Sequence, residues 1–168
     1  MIRKEEKKMY DEKILKFLEN DARITPDKLA VMLGKETGDI RTLIEKYEQD
    51  GIILGYRAVV DWDKAGKECV SAFIELKMTP QKDRGFDSVA ERISRYDEVK
   101  SVYLMSGGFD LALFIEGKTM REVAYFVADK LAPLEFVTST ATHFVLHKYK
   151  SEGVMFCPAS KDSRTNVL

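Results

Sequence analysis

Several features that mark particular protein classes are scarce or absent in this chain of 168 residues. Its two cysteines, Cys69 and Cys157, lie far apart without a C-x-x-C partner, which excludes a disulfide framework and predicts a reducing cytoplasm as its location. No apolar run approaches the ~20 residues of a membrane helix, and residues 1–8 lack the apolar core of a secretory signal. With 27 basic and 28 acidic residues, any nucleic-acid binding must come from local placement of charge.

Motifs of enzymes are also absent. The sequence contains no Gly-x-Ser-x-Gly elbow, no phosphate-binding Gly-Lys-Ser/Thr loop and no Gly-x-Gly-x-x-Gly fingerprint. Its two histidines, His143 and His147, fall on one predicted strand, where a spacing of four residues separates them by about 13 Å along the same face. A shared metal is therefore not expected. We predict a protein that is not an enzyme and that needs no cofactor or metal.

The hydrophobic pattern of the first fifty residues has the period of a helix. The first predicted helix contains Tyr10, Ile14, Phe17 and Leu18 and ends at Asn20. Thr25-Pro26 is a favourable start for the second helix, which ends at Gly34. Ile40, Leu43, Ile44 and Tyr47 mark a third helix that ends at Gly51. Three short helices, the last two joined by a tight link, predict a helix-turn-helix.

After residue 52 the period of the pattern becomes two. Alternation predicts a linking strand within Ile52–Asp63, followed by a strand over Val70–Met78, a helix over Arg84–Tyr96, and strands over Val99–Ser106 and Leu111–Glu116. A second helix from Met120 is closed by Pro133, and a long last strand covers Glu135–Tyr149. The order βαββαβ is typical of a ferredoxin-like sandwich, with both helices on one face of an antiparallel sheet.

The predicted fold class is therefore α+β, with a helix-turn-helix of the winged-helix type before a ferredoxin-like module. We assign residues 1–53 to the helix-turn-helix, 54–66 to the linking strand, 67–150 to the ferredoxin-like module and 151–168 to a loose C-terminal extension.

This arrangement resembles the Lrp/AsnC ("feast/famine") family of bacterial and archaeal transcription regulators over roughly residues 10–150. The resemblance rests on the order and spacing of several short motifs: Leu29-Ala30-x-x-Leu33-Gly34, Ile40-x-x-x-Ile44-x-x-Tyr47-Glu48-x-x-Gly51, Gly55-Tyr56-Arg57-Ala58-Val59-Val60-Asp61, Ser106-Gly107-Gly108-Phe109-Asp110 and Thr140-Ala141-Thr142. The resemblance implies a C-terminal module that forms homodimers, which assemble into octamers, and a small effector, usually an amino acid, bound between subunits.

The third helix of a helix-turn-helix enters the major groove with its N-terminal residues at the base edges. Residues near its start that suit double-stranded DNA are Lys35, Thr37, Gly38, Arg41, Thr42 and Lys46. The sequence departs from the family at Glu36, near the expected capping Ser, at Thr42-Leu43, in place of an Arg-rich pair, and at Glu45, in place of a basic residue; with Asp39, three carboxylates lie here. Arg3, Lys4, Lys7 and Lys8, or Lys28, supply further candidate phosphate contacts. The alternative is that these charges only solvate the helix of a module that binds proteins.

An effector cleft is predicted around the glycine turn. A carboxylate at Asp110 suits an ammonium group, and the amides of Gly107 and Gly108 suit a carboxylate, which together describe the head of an amino acid. By resemblance, the predicted effector-binding residues are Ser106, Gly107, Gly108, Asp110, Met120, Thr140 and Thr142. The glycines alone also fit a plain hairpin turn, and the threonines also fit ordinary strand propensity.

Two alternative functions stay open at this point. The first is an amino-acid-sensing oligomer that does not bind DNA and acts through protein contacts. The second is an enzyme like the siroheme decarboxylases, whose architecture is similar and in which His143 and His147 would contact substrate carboxylates.

Overall fold

The computed structural model describes residues 10–79 and 86–156. The chain divides into two compact units between Val59 and Val60. We call residues 10–59 the head and the described residues from 60 to 156 the sheet module. Arg3, Lys4, Lys7, Lys8, Arg84 and Cys157, named above as parts of predicted features, lie outside the described residues.

The head is made of three helices whose ends follow the local sequence. They are α1 (Glu12–Asn20), α2 (Pro26–Leu33) and α3 (Thr37–Gln49). The Thr25 hydroxyl accepts a hydrogen bond from the Lys28 amide at the start of α2, and Gly34 ends that helix in the left-handed conformation. The predicted helix-turn-helix is therefore confirmed.

The core of the head is formed by one face of each helix. Ile14 of α1, Leu29 of α2, and Ile40 and Tyr47 of α3 have no exposed surface. Half-buried apolar side chains from the helices and from Ile52 and Ile53 surround them. Because all three helices bury residues at helical spacing, the pattern of period 3.6 fixes both their faces and their packing.

The sheet module has the element order βαββαβ. Its elements are β1 (Val70–Met78), α4 (Asp87–Ile93), β2 (Val99–Leu104), β3 (Leu111–Gly117), α5 (Met120–Phe126) and β4 (Val137–Phe144). A π-helical segment, Val127–Leu131, continues α5. The strands form an antiparallel sheet in the order β2-β3-β1-β4. The ferredoxin-like prediction is confirmed, and the predicted bounds of β1 agree with the structure.

The core of the sheet module lies on the face of the sheet that α4 and α5 cover. Alternate residues of β1, namely Ala72, Ile74, Leu76 and Met78, are buried there with residues of β3 and of both helices. This follows from the period of two in β1, which puts its apolar residues on one face.

Three predicted features of the backbone are wrong. No strand forms within residues 54–66 of the described chain, because a strand needs a neighbouring backbone and this stretch pairs with none there; Asp61–Lys67 turns instead, with the Lys67 amide donating to the Trp62 carbonyl at 3.0 Å. The last strand ends at Phe144 and not at Tyr149, because its residue pairing with β1 stops at Ala72, opposite Phe144.

The third error concerns the extension after residue 150. Its described part, up to Phe156, is ordered as a hairpin of β5 (Lys150–Ser151) and β6 (Val154–Met155). Glu152 and Gly153 both have positive φ, of 48° and 77°, as a type I′ turn requires. Strands of two residues are too short to show an alternating pattern, so the sequence does not predict this turn.

Candidate functional site

The outward face of α3 carries the residues predicted to read DNA. Gly38, Arg41 and Thr42 are exposed, Thr37 and Lys46 are half-buried, and Lys35 is exposed in the link before the helix. Since Ile40 and Tyr47 are fully buried on the opposite face, the packing of the head fixes which side of α3 is available to a partner. The structure therefore places all six predicted DNA-binding residues on or beside one helix face.

Two of these side chains are held by contacts inside the head. The Thr42 hydroxyl donates to the Gly38 carbonyl at 3.0 Å, a bond within the helix that leaves an oxygen lone pair available. Lys35 Nζ lies 2.6 Å from Asp11 Oδ2, an ion pair that links the turn to the start of α1. Arg41 has no hydrogen bond or ion pair with the described residues and extends into solvent.

Acidic groups lie on the same region of the head. Glu36, Asp39 and Glu45 are all exposed, and Glu36, at the N-cap of α3, makes no capping hydrogen bond through its side chain. Carboxylates beside a polyanion weaken binding that depends on charge alone. The α3 face therefore has mixed charge, with its basic groups at Arg41 and Lys46.

The loop between β2 and β3 contains the predicted effector residues Ser106, Gly107 and Gly108. All three are exposed, whereas Asp110 at the end of the loop is half-buried. The backbone of Asp110 ties this loop to the sheet: its N–H donates to the Leu76 carbonyl at 2.9 Å, and its carbonyl accepts from the Met105 amide at 2.8 Å.

The carboxylate of Asp110 has a structural partner that sequence reasoning missed. Its Oδ2 accepts a hydrogen bond of 2.7 Å from the Met78 amide. A bulge between Lys77 and Met78 interrupts the pairing of β1 with β4 at this point, so the Met78 amide bonds to the carboxylate. One oxygen of Asp110 is thus used by the fold, and Oδ1 makes no hydrogen bond within the described residues.

The predicted effector residues are only partly brought together. Thr140 and Thr142, both half-buried, pair with Leu76 and Ile74 and so point to the helix-covered face. Thr140 lies in the same row of residues as Leu111, next to Asp110. Met120 begins α5 beyond the far end of β3, about 20 Å from Asp110 at ~3.3 Å per strand residue, so one chain does not unite Met120 with this loop.

Comparison with known proteins identifies both parts of the chain. A family model for the Lrp/AsnC ligand-binding domain matches residues 71–155, and a model for a winged helix-turn-helix DNA-binding domain matches residues 10–53. The HTH-type transcriptional regulator YugG of Bacillus subtilis is 46% identical over 155 residues, which cover 92% of this chain and 93% of that protein.

The chain belongs to the Lrp/AsnC family. Like YugG, it is a regulator of the helix-turn-helix type. Solved Lrp/AsnC structures share its fold: AsnC of E. coli has 26% identity and a TM-score of 0.65, covering 82% of this chain and 91% of that one. A regulator from Neisseria meningitidis solved with L-methionine has 24% identity and a TM-score of 0.68, covering 83% and 89%.

The open face of the sheet in this Lrp/AsnC protein carries aromatic side chains. The ring of Phe73 lies 5.3 Å from that of Phe114, 6.0 Å from that of Phe109 and 5.9 Å from that of His143, and Tyr103 contacts Phe114 edge-on at 6.5 Å. We call these five residues the aromatic face. The alternating pattern of β1 predicts that Phe73, between two buried positions, lies on the open face. The sequence does not predict that Phe114 and His143 pair with it from the neighbouring strands.

The two histidines do not share a site. His143 lies on β4, with Nε2 3.4 Å from Glu75 Oε1, whereas His147 follows the strand and its ring lies 4.5 Å from that of Tyr149. Within residues 10–79 and 86–156, no group of three or more His, Cys, Asp or Glu side chains is arranged to hold a metal ion. The same residues contain no helix long and apolar enough to span a bilayer.

Proposed function

We propose that this Lrp/AsnC regulator binds specific operator DNA through α3 and that an amino acid at the loop of residues 106–110 changes that binding. The carrying observation is the exposed face of α3, where Arg41, Thr42 and Lys46 lie opposite a fully packed core. This is the placement that a recognition helix needs to enter a major groove.

The polar groups of α3 suit different parts of a duplex. The guanidinium of Arg41, which extends into solvent, can donate two hydrogen bonds to a guanine edge. Lys46 suits a phosphate, and the Gly38 position brings the backbone close to the duplex without a side chain in the way. Since the face also carries Asp39 and Glu45, we expect specific contacts to contribute more than general attraction.

The DNA part is tested by gel-shift titration with duplexes from the region upstream of the gene. We expect Arg41→Ala to weaken binding by about tenfold, in line with the 1–3 kcal/mol of a good base contact, and the affinity to fall steeply as salt increases. A scrambled duplex is the control. Equal affinity for the scrambled and the genuine duplex would contradict sequence-specific reading.

The effector part of the proposal is supported by the chemistry of the loop. Asp110 keeps Oδ1 available in the same loop as the exposed Gly107 and Gly108, whose amides make no hydrogen bond with the described residues, so a carboxylate and two amide donors lie within five residues. An ammonium group and a carboxylate of one small molecule can bind to them. Ser106 belongs to the same loop, Thr140 pairs with Leu76, whose carbonyl accepts from the Asp110 amide, and Met120 of a second copy is the proposed wall of the cleft.

A thermal-shift screen with the twenty amino acids tests this cleft. We expect at least one to raise the melting temperature or shift the oligomer, and Asp110→Asn to abolish the response. Asparagine is the sharper substitution because its side-chain oxygen can still accept the Met78 amide, so the fold keeps its bond while the charge is lost. A response that survives in Asp110→Asn would mean that the Asp110 carboxylate does not bind the effector.

We also propose that the protein forms homodimers through the aromatic face and that dimers assemble further into octamers. The helices cover one face of the sheet, and Phe114 and Tyr103 on the other are 42% and 52% exposed in the single chain. Clustered aromatic side chains on an uncovered sheet favour burial against a second copy.

The acidic groups of α3 favour a second candidate function, an amino-acid-sensing oligomer without DNA binding. The same gel-shift separates the two functions. Binding of genomic duplexes supports the regulator, whereas a protein that responds to an amino acid and retains no duplex at low salt supports the sensor.

A further inference from the structure

The ion pair between Asp11 and Lys35 joins two parts of the head that are 24 residues apart in sequence. Lys35 Nζ lies 2.6 Å from Asp11 Oδ2. The side chains are 24% exposed for Asp11 and 39% exposed for Lys35. The pair therefore lies at the surface, where a phosphate of a bound duplex can compete for the ammonium group.

Asp11 is held in place by three contacts and not by Lys35 alone. It is the N-cap of α1, and its Oδ1 accepts a hydrogen bond of 3.0 Å from the Lys13 amide. Its own amide donates to the Tyr47 hydroxyl at 2.8 Å, and Tyr47 is fully buried on α3. The core of the head thus fixes the carboxylate, and its position does not depend on the lysine.

The position of Lys35 is also fixed at its backbone. Gly34 ends α2 in the left-handed conformation, and the Lys35 amide donates to the Ala30 carbonyl at 3.0 Å. The lysine therefore leaves the turn two residues before α3 begins. In a helix-turn-helix this is the end of the recognition helix that lies at the groove, so the reach of this long side chain includes the adjacent phosphates.

The charges of the pair reinforce one another. The hydrogen bond from Lys35 is the largest influence on Asp11 and lowers its pKa, and the hydrogen bond to Asp11 raises the pKa of Lys35. Both groups are ionised at neutral pH, so Lys35 reaches a phosphate only by exchanging one anionic partner for another.

We propose that Asp11 is an affinity-setting residue, an internal carboxylate that occupies Lys35 and weakens the grip of the head on DNA. The inference rests on the proposed docking of α3. It assigns to Asp11 a role beyond helix capping. The charge of its side chain keeps Lys35 in an internal ion pair, and loss of that charge leaves Lys35 available to bind a phosphate.

The test compares four variants with the wild type on a random-sequence duplex of about 30 base pairs, since phosphate contacts do not depend on sequence. Asp11→Asn removes the charge but keeps a side-chain oxygen that caps α1 about as well. Lys35→Gln and the double variant show whether any gain passes through the lysine. Glu12→Gln, one residue away in the same first turn and exposed, makes the same change in net charge and is the matched control.

We expect Asp11→Asn to tighten binding roughly threefold to tenfold at about 50 mM salt, the effect of about one more phosphate contact. In the double variant this gain disappears, and Glu12→Gln changes the affinity less than about twofold, since a nearby charge that has no direct partner among the described residues acts only through a screened field. Circular dichroism melting of each variant confirms that the helices are intact.

An unchanged or weaker affinity in folded Asp11→Asn overturns the inference, and so does a gain that persists without Lys35, because the effect would then be one of net charge. These outcomes differ from failure of the proposed function. If the wild type binds no duplex even at low salt, DNA binding itself is contradicted.

Discussion

The head and the sheet module complete their cores in different ways. In the head, three helices enclose fully buried side chains such as Tyr47, and each helix contributes one apolar face. In the sheet module, the core lies on one side of the sheet, and the aromatic face on the other side remains open. The head can therefore present polar groups to a partner such as DNA, whereas the sheet module presents an apolar surface that suits another copy of itself.

The two parts also use polar groups differently. In the head, Asp11 and Tyr47 link α1 to α3 through a side-chain hydroxyl, while in the sheet module Asp110 satisfies an amide that a bulge has released. Both contacts are partly buried and both join segments more than thirty residues apart. Each part thus contains a polar contact between distant segments, and removing either one tests how independently the two parts fold.

The largest effect is expected from a charge on the aromatic face. Phe114→Lys should raise the dimer dissociation constant by about 100-fold or more, because in a two-fold dimer the unpaired ammonium group is buried twice. Phe114 is 42% exposed in the single chain, so the fold should tolerate the change. Analytical ultracentrifugation measures the association.

Tyr125→Lys provides the matched control for this experiment. Tyr125 is an aromatic residue of α5 with 56% exposure, on the side of the sheet that the helices cover. We expect it to leave the dimer intact. A Phe114→Lys protein that associates as well as the wild type would mean that the aromatic face is not the interface.

The next effect concerns the polar contact in the head. Tyr47→Phe leaves the Asp11 amide without its 2.8 Å acceptor and should reduce the free energy of unfolding of the head by about 1 kcal/mol. Far-ultraviolet circular dichroism follows the helices of both parts, including the long α3 of the head, whereas the fluorescence of Trp62, the single tryptophan of the chain, follows the sheet module. The circular dichroism transition should therefore move, and the Trp62 transition should not.

The same change at Tyr10 is the control. Its ring packs edge-on against that of Tyr47, with 5.6 Å between centroids, but its hydroxyl has no partner among the described residues. Tyr10→Phe should therefore have little effect. If both transitions shift in Tyr47→Phe, the two parts do not unfold independently.

Local chemistry explains which features the sequence could predict. Thr25 and Gly34 mark the beginning and the end of α2, and the alternating pattern of β1 predicts which of its side chains are buried. These signals act over a few residues, so one sequence is enough to find them. The helix-turn-helix, the ferredoxin-like order and the face of α3 all follow from signals of this kind.

Features that depend on distant partners could not be predicted. Whether residues 54–66 form a strand depends on a neighbouring backbone, and the end of β4 depends on where its pairing with β1 stops. The bond from the Met78 amide to Asp110 depends on a bulge 32 residues earlier in the chain. The family resemblance groups Met120 with the effector loop, but β3 runs away from that loop and Met120 lies beyond its other end.

The hydrogen bond from the Met78 amide to Asp110 allows the same experiment in the sheet module as Tyr47→Phe allows in the head. Asp110→Ala leaves the Met78 amide unsatisfied and should lower the stability of the sheet module by about 1 kcal/mol, somewhat less than for a fully buried amide because the site is partly exposed. Urea unfolding followed by Trp62 fluorescence measures the loss. Asp110→Asn is expected to recover more than half of it, and equal losses in both variants would show that the charge and not the hydrogen bond stabilises the loop.

The smallest expected effect is a loss of stability of the head at alkaline pH, which has no consequence at neutral pH. Partial desolvation of Tyr56, which is 47% exposed, and its hydrogen bond of 2.7 Å to Glu48 raise the pKa of Tyr56 to about 12. A group whose pKa is raised by folding contributes stability that is complete below its ordinary pKa near 10 and is lost as the pH rises through the folded value. Between about pH 10 and pH 12, the helical signal of the wild type should therefore weaken more than that of Tyr56→Phe, while Trp62 fluorescence reports no difference between the two proteins.

Glu48→Gln, which removes the neighbouring carboxylate, should shift the ultraviolet titration of Tyr56 to lower pH. If it leaves that titration unchanged, desolvation alone raises the pKa of Tyr56 and the hydrogen bond does not contribute.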